Sequence, residues 1–290
     1  MPSNIKIRIG DITTAIEWKS GRSDLDPPPA YQPFIFDSRA DIHLKLHLGA
    51  SPIELGQIFF DSPPIWRLYR NDASSNIFIF EQYPDLRRLL VLPHQFKGTE
   101  LYFAATGGQF KDPFFGPTME LLMINYLARG YGVILHACGI DYYGKGLLFC
   151  GESGAGKSTL ANLWNQEAGV AVLSDDRTLV RQINGRLRMY GTPWHGEAKF
   201  GSPGGIKLEK IFFLKHGRKN AIQQLSGAES VLKLLQCSFP PHWDAACMEY
   251  TMGFFEQLTT RISCHELSFE PDKRVIDLIK RHTETTGGII

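Results

Sequence analysis

The stretch Gly-Glu-Ser-Gly-Ala-Gly-Lys-Ser-Thr at residues 151–159 has the residue types and spacing to cradle a polyphosphate. Its glycines let the backbone turn so that successive N–H groups point inward at phosphate oxygens. A helix beginning at the end of the stretch aims its positive end at the same point. Lys157 reaches the outer phosphates as a mobile cation, and the Ser158 hydroxyl is placed to ligate magnesium. The nucleotide-binding set is Gly151, Glu152, Ser153, Gly154, Ala155, Gly156, Lys157, Ser158 and Thr159, with ATP and Mg2+ as the expected ligands. A chance glycine-rich turn would not need the apolar run Gly-Leu-Leu-Phe-Cys that precedes it, nor the helical spacing that follows.

The flanks carry further chemistry. Val-Ala-Val-Leu-Ser-Asp-Asp ends in Asp175 and Asp176, one helix and one strand beyond the loop. An apolar strand ending in acidic residues can deliver a carboxylate to the nucleotide's magnesium. Two adjacent aspartates at a strand end cannot both point the same way. One can bind metal while the other faces the γ-phosphate and accepts a proton from an alcohol. The residues alone leave the two interchangeable, so the metal set is Ser158, Asp175 and Asp176. Upstream, His136 ends the strand Val-Ile-Leu and Asp141 follows five residues later; position alone makes His136 more often a structural than a catalytic histidine.

The elements that must position these groups are mixed. Residues 1–113 read as a β-rich accessory domain. Ile5, Ile7 and Ile9 alternate with Lys6 and Arg8; Ile42, Leu44, Leu46 and Leu48 alternate with His43, Lys45 and His47. Strand, turn and strand follow over 65–80, with two more strands at Arg-Arg-Leu-Leu-Val-Leu and Glu-Leu-Tyr-Phe-Ala-Ala. Trp18, Phe34, Phe59, Phe60, Trp66, Phe78 and Phe80 read as core. Residues 114–290 read as an α/β domain with a mixed sheet around the loop. A helix opens near Pro117 and stops at Gly130. Val-Ile-Leu-His-Ala is a short strand, Asn184-Gly185 tips a hairpin, and Ser226 with Glu229 caps a helix. Asp244–Arg261 and Lys273–Arg281 are the last helices.

Composition excludes several classes. The chain has 290 residues and a formal net charge of +1, so no basic balance points to nucleic acid. No apolar segment is long enough to span a membrane. The five cysteines show no two-residue spacing of a zinc or redox motif. A cytoplasmic protein is expected. His43 and His47 share a strand face with Lys45 between them, which reads as a solvated face rather than a metal site.

The order of Leu-His-Ala-Cys-Gly-Ile-Asp, the phosphate loop and Leu-Ser-Asp-Asp resembles the C-terminal catalytic domain of HPr kinase/phosphorylase and its wider group, similar in fold to phosphoenolpyruvate carboxykinase. His136, Asp141, Gly144, Gly146, Gly151 to Ser158, Asp175 and Asp176 match in order. The resemblance implies an ATP-dependent kinase acting on a hydroxyl, serine-like, of a peptide, protein or small molecule. It implies that Asp175 is the general base, Asp176 helps hold the metal shell, Lys157 and Ser158 hold phosphate and magnesium, and His136 lies near the transferring phosphate. It also points to a homo-oligomer. Where the family has a Leu-Glu-Ile-Arg-Gly-like segment, this sequence has Met-Tyr-Gly-Thr-Pro-Trp-His-Gly-Glu-Ala-Lys-Phe-Gly, which sets HPr itself aside as the expected acceptor. There Glu197 and Lys199 either line the acceptor side or belong to a strand exit packed by Trp194. The rival readings are a non-catalytic nucleotide-binding regulator and a carboxykinase-like enzyme.

Overall fold

The computed structural model describes residues 4–19, 25–70, 75–80, 88–103, 113–114 and 116–285. It holds two compact units, Met1–Met123 and Ile124–Ile290, each built on a mixed sheet.

The first unit carries β1 (Asn4–Ile9), β2 (Ile12–Trp18), β3 (Ile42–Leu48), β4 (Gln57–Ser62), β5 (Trp66–Arg70), β6 (Ser75–Phe80), β7 (Arg88–Pro93) and β8 (Thr99–Phe103). Their order in the sheet is β1-β2-β3-β8-β7-β6-β5-β4. β3 pairs in parallel with both β2 and β8, and every other pairing is antiparallel. The alternation expected of a half-buried strand holds in β3, where Ile42, Leu44 and Leu46 are buried. Leu48, at its end, is exposed. Central β6 and β7 instead bury near-continuous apolar runs, as strands covered on both faces do. Trp18, Phe34, Phe78 and Phe80 are core as expected, but Phe59 is 51% exposed. It lies on β4, which is an edge strand among the described residues, and Arg70 covers its ring. The turn between β5 and β6, and Ala104 and Ala105 after β8, lie outside the described residues.

The division between the first unit and the second falls within helix α1 (Thr118–Leu127), whose first turn bonds to the Pro117 carbonyl and whose end is turned by Gly130 at φ +104°. Then come β9 (Val133–Tyr142), β10 (Lys145–Cys150), α2 (Lys157–Trp164), β11 (Val170–Ser174), β12 (Arg177–Ile183), β13 (Arg186–Tyr190) and β14 (Gly205–His216). β15 (Ala221–Gln224), α3 (Gly227–Gln236), α4 (Ala245–Arg261), β16 (Ser263–Phe269) and α5 (Arg274–Thr285) complete it. Two hairpins turn on a non-glycine followed by glycine, both at positive φ: Tyr143-Gly144 and Asn184-Gly185. Ser226 and Glu229 form the reciprocal cap of α3.

β9 organises this unit. It is a strand of ten residues, longer than the short one expected from Val-Ile-Leu-His-Ala. Residues 137–142 pair with β10 on one edge. On the other edge β11 and then β12 run in succession, both antiparallel to it. Pairings of β9 with β12, β12 with β13, β13 with β14, and β14 with β10 close a circuit, so the sheet curls on itself. β16 extends it in parallel from β14. One face of the curled sheet packs on α2 and α5 through Leu160, Trp164, Ile276 and Ile279. The other packs on α3 and α4 through Leu234, Phe254, Phe255 and Leu258. No helix among the described residues is long and apolar enough to cross a membrane.

Candidate functional site

The site forms where β10 ends and α2 begins. The loop runs from Gly151 to Gly156, whose φ of +99° makes it a left-handed entry to α2. A side chain there would meet Phe269 at 2.7 Å, so glycine is needed for space as well as for conformation. Lys157 is only 6% exposed. Its Nζ donates to the carbonyls of Gly151 and Glu152, each at 2.9 Å. Burial pulls its pKa down, and the charge of Asp176 works in the other direction. Glu152, Ser153, Gly154 and Thr159 are exposed, while Ala155, Gly156 and Ser158 are half-buried.

The aspartate pair follows the end of β11, as expected, and fills the two-residue gap before β12. β11 bulges near Leu173, and chain pairing with β9 resumes at Arg177 opposite His136. The interruption turns the two carboxylates into different surroundings. Asp175 is fully buried. It accepts from the Ser158 hydroxyl at 3.3 Å, from the Gly196 amide at 2.9 Å and from the Ala198 amide at 2.9 Å. Asp176 retains a quarter of its side chain in solvent and lies 2.8 Å from His136 Nε2, with Arg177 paired to its other oxygen. Burial works against its ionisation, but the His136 hydrogen bond and the charges of Arg177 and Lys157 outweigh this and hold its pKa below the usual value. His136 and Arg177 both lean on Phe239.

The segment from Gly191 to Gly204 covers Asp175. Thr192 ties it down by donating to the Arg177 carbonyl at 2.6 Å, and the Ser202 amide donates to the Leu173 carbonyl at 2.9 Å. Gly196 passes so close that a β-carbon would sit 2.9 Å from an Asp175 oxygen and 3.2 Å from Asp176 Cβ. Glu197 and Lys199 are exposed; it is the backbone of this segment that meets the site. These amides escape a reading based on side chains, although the glycine-rich run Gly-Thr-Pro-Trp-His-Gly is their trace in the sequence. Arg177 and Phe239 were not among the expected site residues either.

Thus His136, Lys157, Ser158, Asp175 and Asp176 gather at one end of the sheet. Asp141 does not join them. It lies five residues along β9 from His136, roughly 16 Å away at strand rise, and its carboxylate accepts from the Gly144 amide in the hairpin turn. All five cysteines are free and buried. Burial pushes the Cys237 thiol up to about 11, with Lys157 opposing. Among the described residues no group of three or more His, Cys, Asp or Glu is placed to hold a metal ion. The donors that do face the loop, the Ser158 hydroxyl and the aspartate carboxylates, are the hard oxygen ligands magnesium takes when phosphates complete its shell.

No family model matches the sequence, and no curated protein matches it. Among solved structures, the HPr(Ser) kinase/phosphatase from Coxiella burnetii is similar over 53% of this chain and 99% of its own, at 14% identity and a TM-score of 0.32. At that level of likeness the function has to be argued from the geometry of the site.

Proposed function

We propose that the second unit is a phosphotransferase that moves the γ-phosphoryl group of Mg-ATP to a hydroxyl on a peptide, protein or small molecule. The observation that carries this is the His136–Asp176 pair, 2.8 Å apart and partly open to solvent, at the Lys157–Ser158 end of the phosphate loop. A loop that only binds nucleotide has no need of an oriented imidazole there.

The geometry supports a division of labour that reverses the one implied by the resemblance. Asp175 has no exposure, whereas Asp176 keeps a quarter of its side chain in solvent, so Asp175 is the more poorly placed of the two to meet an acceptor. It is well placed to fix the Ser158 hydroxyl beside the loop. The His136–Asp176 pair faces outward and suits proton removal from the acceptor: Asp176 orients the imidazole, and the imidazole takes the proton. Lys157 leaves its two carbonyls for the phosphates and neutralises the charge that develops on them. Ser158, with Asp175 behind it, would hold magnesium, which would supply charge neutralisation when bound.

The test is transfer of label from γ-labelled ATP into fractionated lysate, with His136→Ala and Asp176→Asn beside the wild type. Each variant is expected to lose about 10²–10⁴-fold in transfer while binding ATP normally. Transfer that survives both changes but dies with Asp175→Asn restores Asp175 as the base. Equal ATP binding with no transfer by any form, acceptor present, favours a nucleotide-binding regulator.

A further inference from the structure

The phosphate loop has two sides, and they differ. β10 lies between β9, antiparallel to it, and β14, parallel to it. His136 and the aspartate pair stand on the β9 side. On the β14 side an open cleft of about 460 Å³ runs along the first half of the loop. Its far wall is the carboxyl end of β14, with Leu214, Lys215 and His216, and the last turn of α3, with Lys233 and Gln236. Crevices at the carboxyl ends of parallel strands are where open α/β sheets bind ligands, and this volume falls within the usual range for small-molecule sites.

We propose that this cleft holds the sugar and base of the nucleotide whose phosphates occupy the loop; the assignment rests on the phosphotransferase reading above. A nucleoside triphosphate is extended, with the γ-phosphate at one end and the nucleoside at the other. If the γ-phosphate meets His136 and Asp176 on the β9 side, the nucleoside lies on the β14 side. The charge of the wall fits an uncharged occupant. Lys215 and Lys233 look like an anion trap, but both already bind Glu266, at 3.0 and 3.2 Å. Glu266 offsets half of their charge and Glu152, on the loop, lines the same cleft, so a second polyphosphate would have to displace one carboxylate and face another. What they leave facing the cleft suits a ribose and a base: apolar stems, the Leu214 side chain, and the Gln236 amide, which both donates and accepts. The wall is also joined to the loop, because His216 Nε2 donates to the Gly154 carbonyl at 2.8 Å.

The experiment titrates two probes, Mg-ATP and Mg-tripolyphosphate, by calorimetry into wild type, Lys157→Ala, Gln236→Trp and Lys215→Trp. Gln236 and Lys215 are exposed in whole or part, so a bulky ring there fills the cleft without entering the core. Both tryptophan variants are expected to bind Mg-ATP at least about tenfold more weakly, a Kd change of about 1.4 kcal/mol, and to keep tripolyphosphate affinity within about twofold. Unchanged ATP affinity, or equal weakening of both probes, overturns the assignment while leaving phosphate binding intact. Wild-type protein that binds tripolyphosphate no better than Lys157→Ala overturns the phosphotransferase reading and this assignment with it. A second readout needs no cleft variant: adenosine is expected to compete with Mg-ATP but not with tripolyphosphate on the wild type, and the absence of competition with Mg-ATP overturns the proposal.

Discussion

Among the described residues the two sheets contain eight strands each, but they bury different things. The first buries hydrocarbon and rings, from Ile42, Leu44 and Leu46 to Phe78, Phe80 and Phe103, and a deeply buried charge, Arg88, lies over the Phe80 ring and donates to the Thr118 hydroxyl. The second buries a cation and an anion at one strand end, Lys157 and Asp175, each satisfied by backbone. Burying charge is unfavourable unless hydrogen bonds replace the lost water. Each sheet accepts that cost, the first at Arg88 and the second at Lys210 as well, but Lys157 and Asp175 are opposite charges buried together at the strand end that can do chemistry.

One pair of substitutions tests this comparison with the largest expected effects. Lys157→Ala is expected to weaken ATP binding by about 100-fold or more, since the loop loses its cation. Stability should hardly fall, because the lysine's burial already disfavours its charge. Phe78→Ala, in the first sheet, is expected to do the opposite. It should cost about 3–5 kcal/mol of stability through the cavity it leaves, with ATP affinity unchanged in protein that remains folded. Denaturant melts and calorimetry on both variants decide it. A Phe78→Ala protein that is folded yet loses ATP affinity would show that the first sheet contributes to the site, and the comparison would break.

A second expected effect lies within the second sheet, away from the loop. His265 is 4% exposed, and its Nε2 lies 3.1 Å from that of His282 on α5. Burial, then His282 and Lys210, push its pKa down to about 4, with a hydrogen bond to the Ile211 backbone carbonyl opposing. Because the folded pKa lies below the unfolded value of 6.5, the unfolded chain binds the proton first as pH falls. The contribution is fully present above about pH 6.5 and is lost towards pH 4, at most about 3 kcal/mol. His282, whose own pKa is lowered by burial and by Lys210, adds in the same direction. Unfolding measured from pH 7 to pH 4.5 should show this loss, and His265→Gln should flatten the curve. An unchanged slope in His265→Gln would place the sensitivity in another group.

Much of the second unit was legible in the sequence because its signals are local. The strand, turn and helix around residues 151–159, the Asn184-Gly185 turn, the capping box of α3 and the stop at Gly130 each depend on residues within a few positions, and the backbone takes each shape as read. What was not legible depends on distant strands. That Asp175 and Asp176 would be separated in role follows from the bulge at Leu173 and from amides of a segment some twenty residues on. Asp141 kept the right spacing from His136, but a ten-residue strand carries it to the opposite end of the sheet. In the first unit alternation gave the strands, while the exposure of Phe59 depended on which strand became the edge.

The smallest effect bears on how far the site extends into its scaffold. At one end of α3 the Ser226 hydroxyl accepts from the Glu229 amide while the Glu229 carboxylate accepts from the Ser226 amide. At the other end Lys233 and Gln236 line the cleft, and the Cys237 carbonyl accepts from the His136 amide at 2.6 Å. Ser226→Ala is expected to cost about 1 kcal/mol by leaving an amide of the first turn without its cap. The loss should appear in the unfolding midpoint and not in ATP affinity, because the cap and the cleft lie at opposite ends of a ten-residue helix held by Leu234 against the sheet. A variant that loses affinity in step with stability would mean that the helix moves as a unit with the loop. The site would then comprise α3 as well as the strand ends, and the charge burial that sets the second sheet apart would be shared by its helical layer.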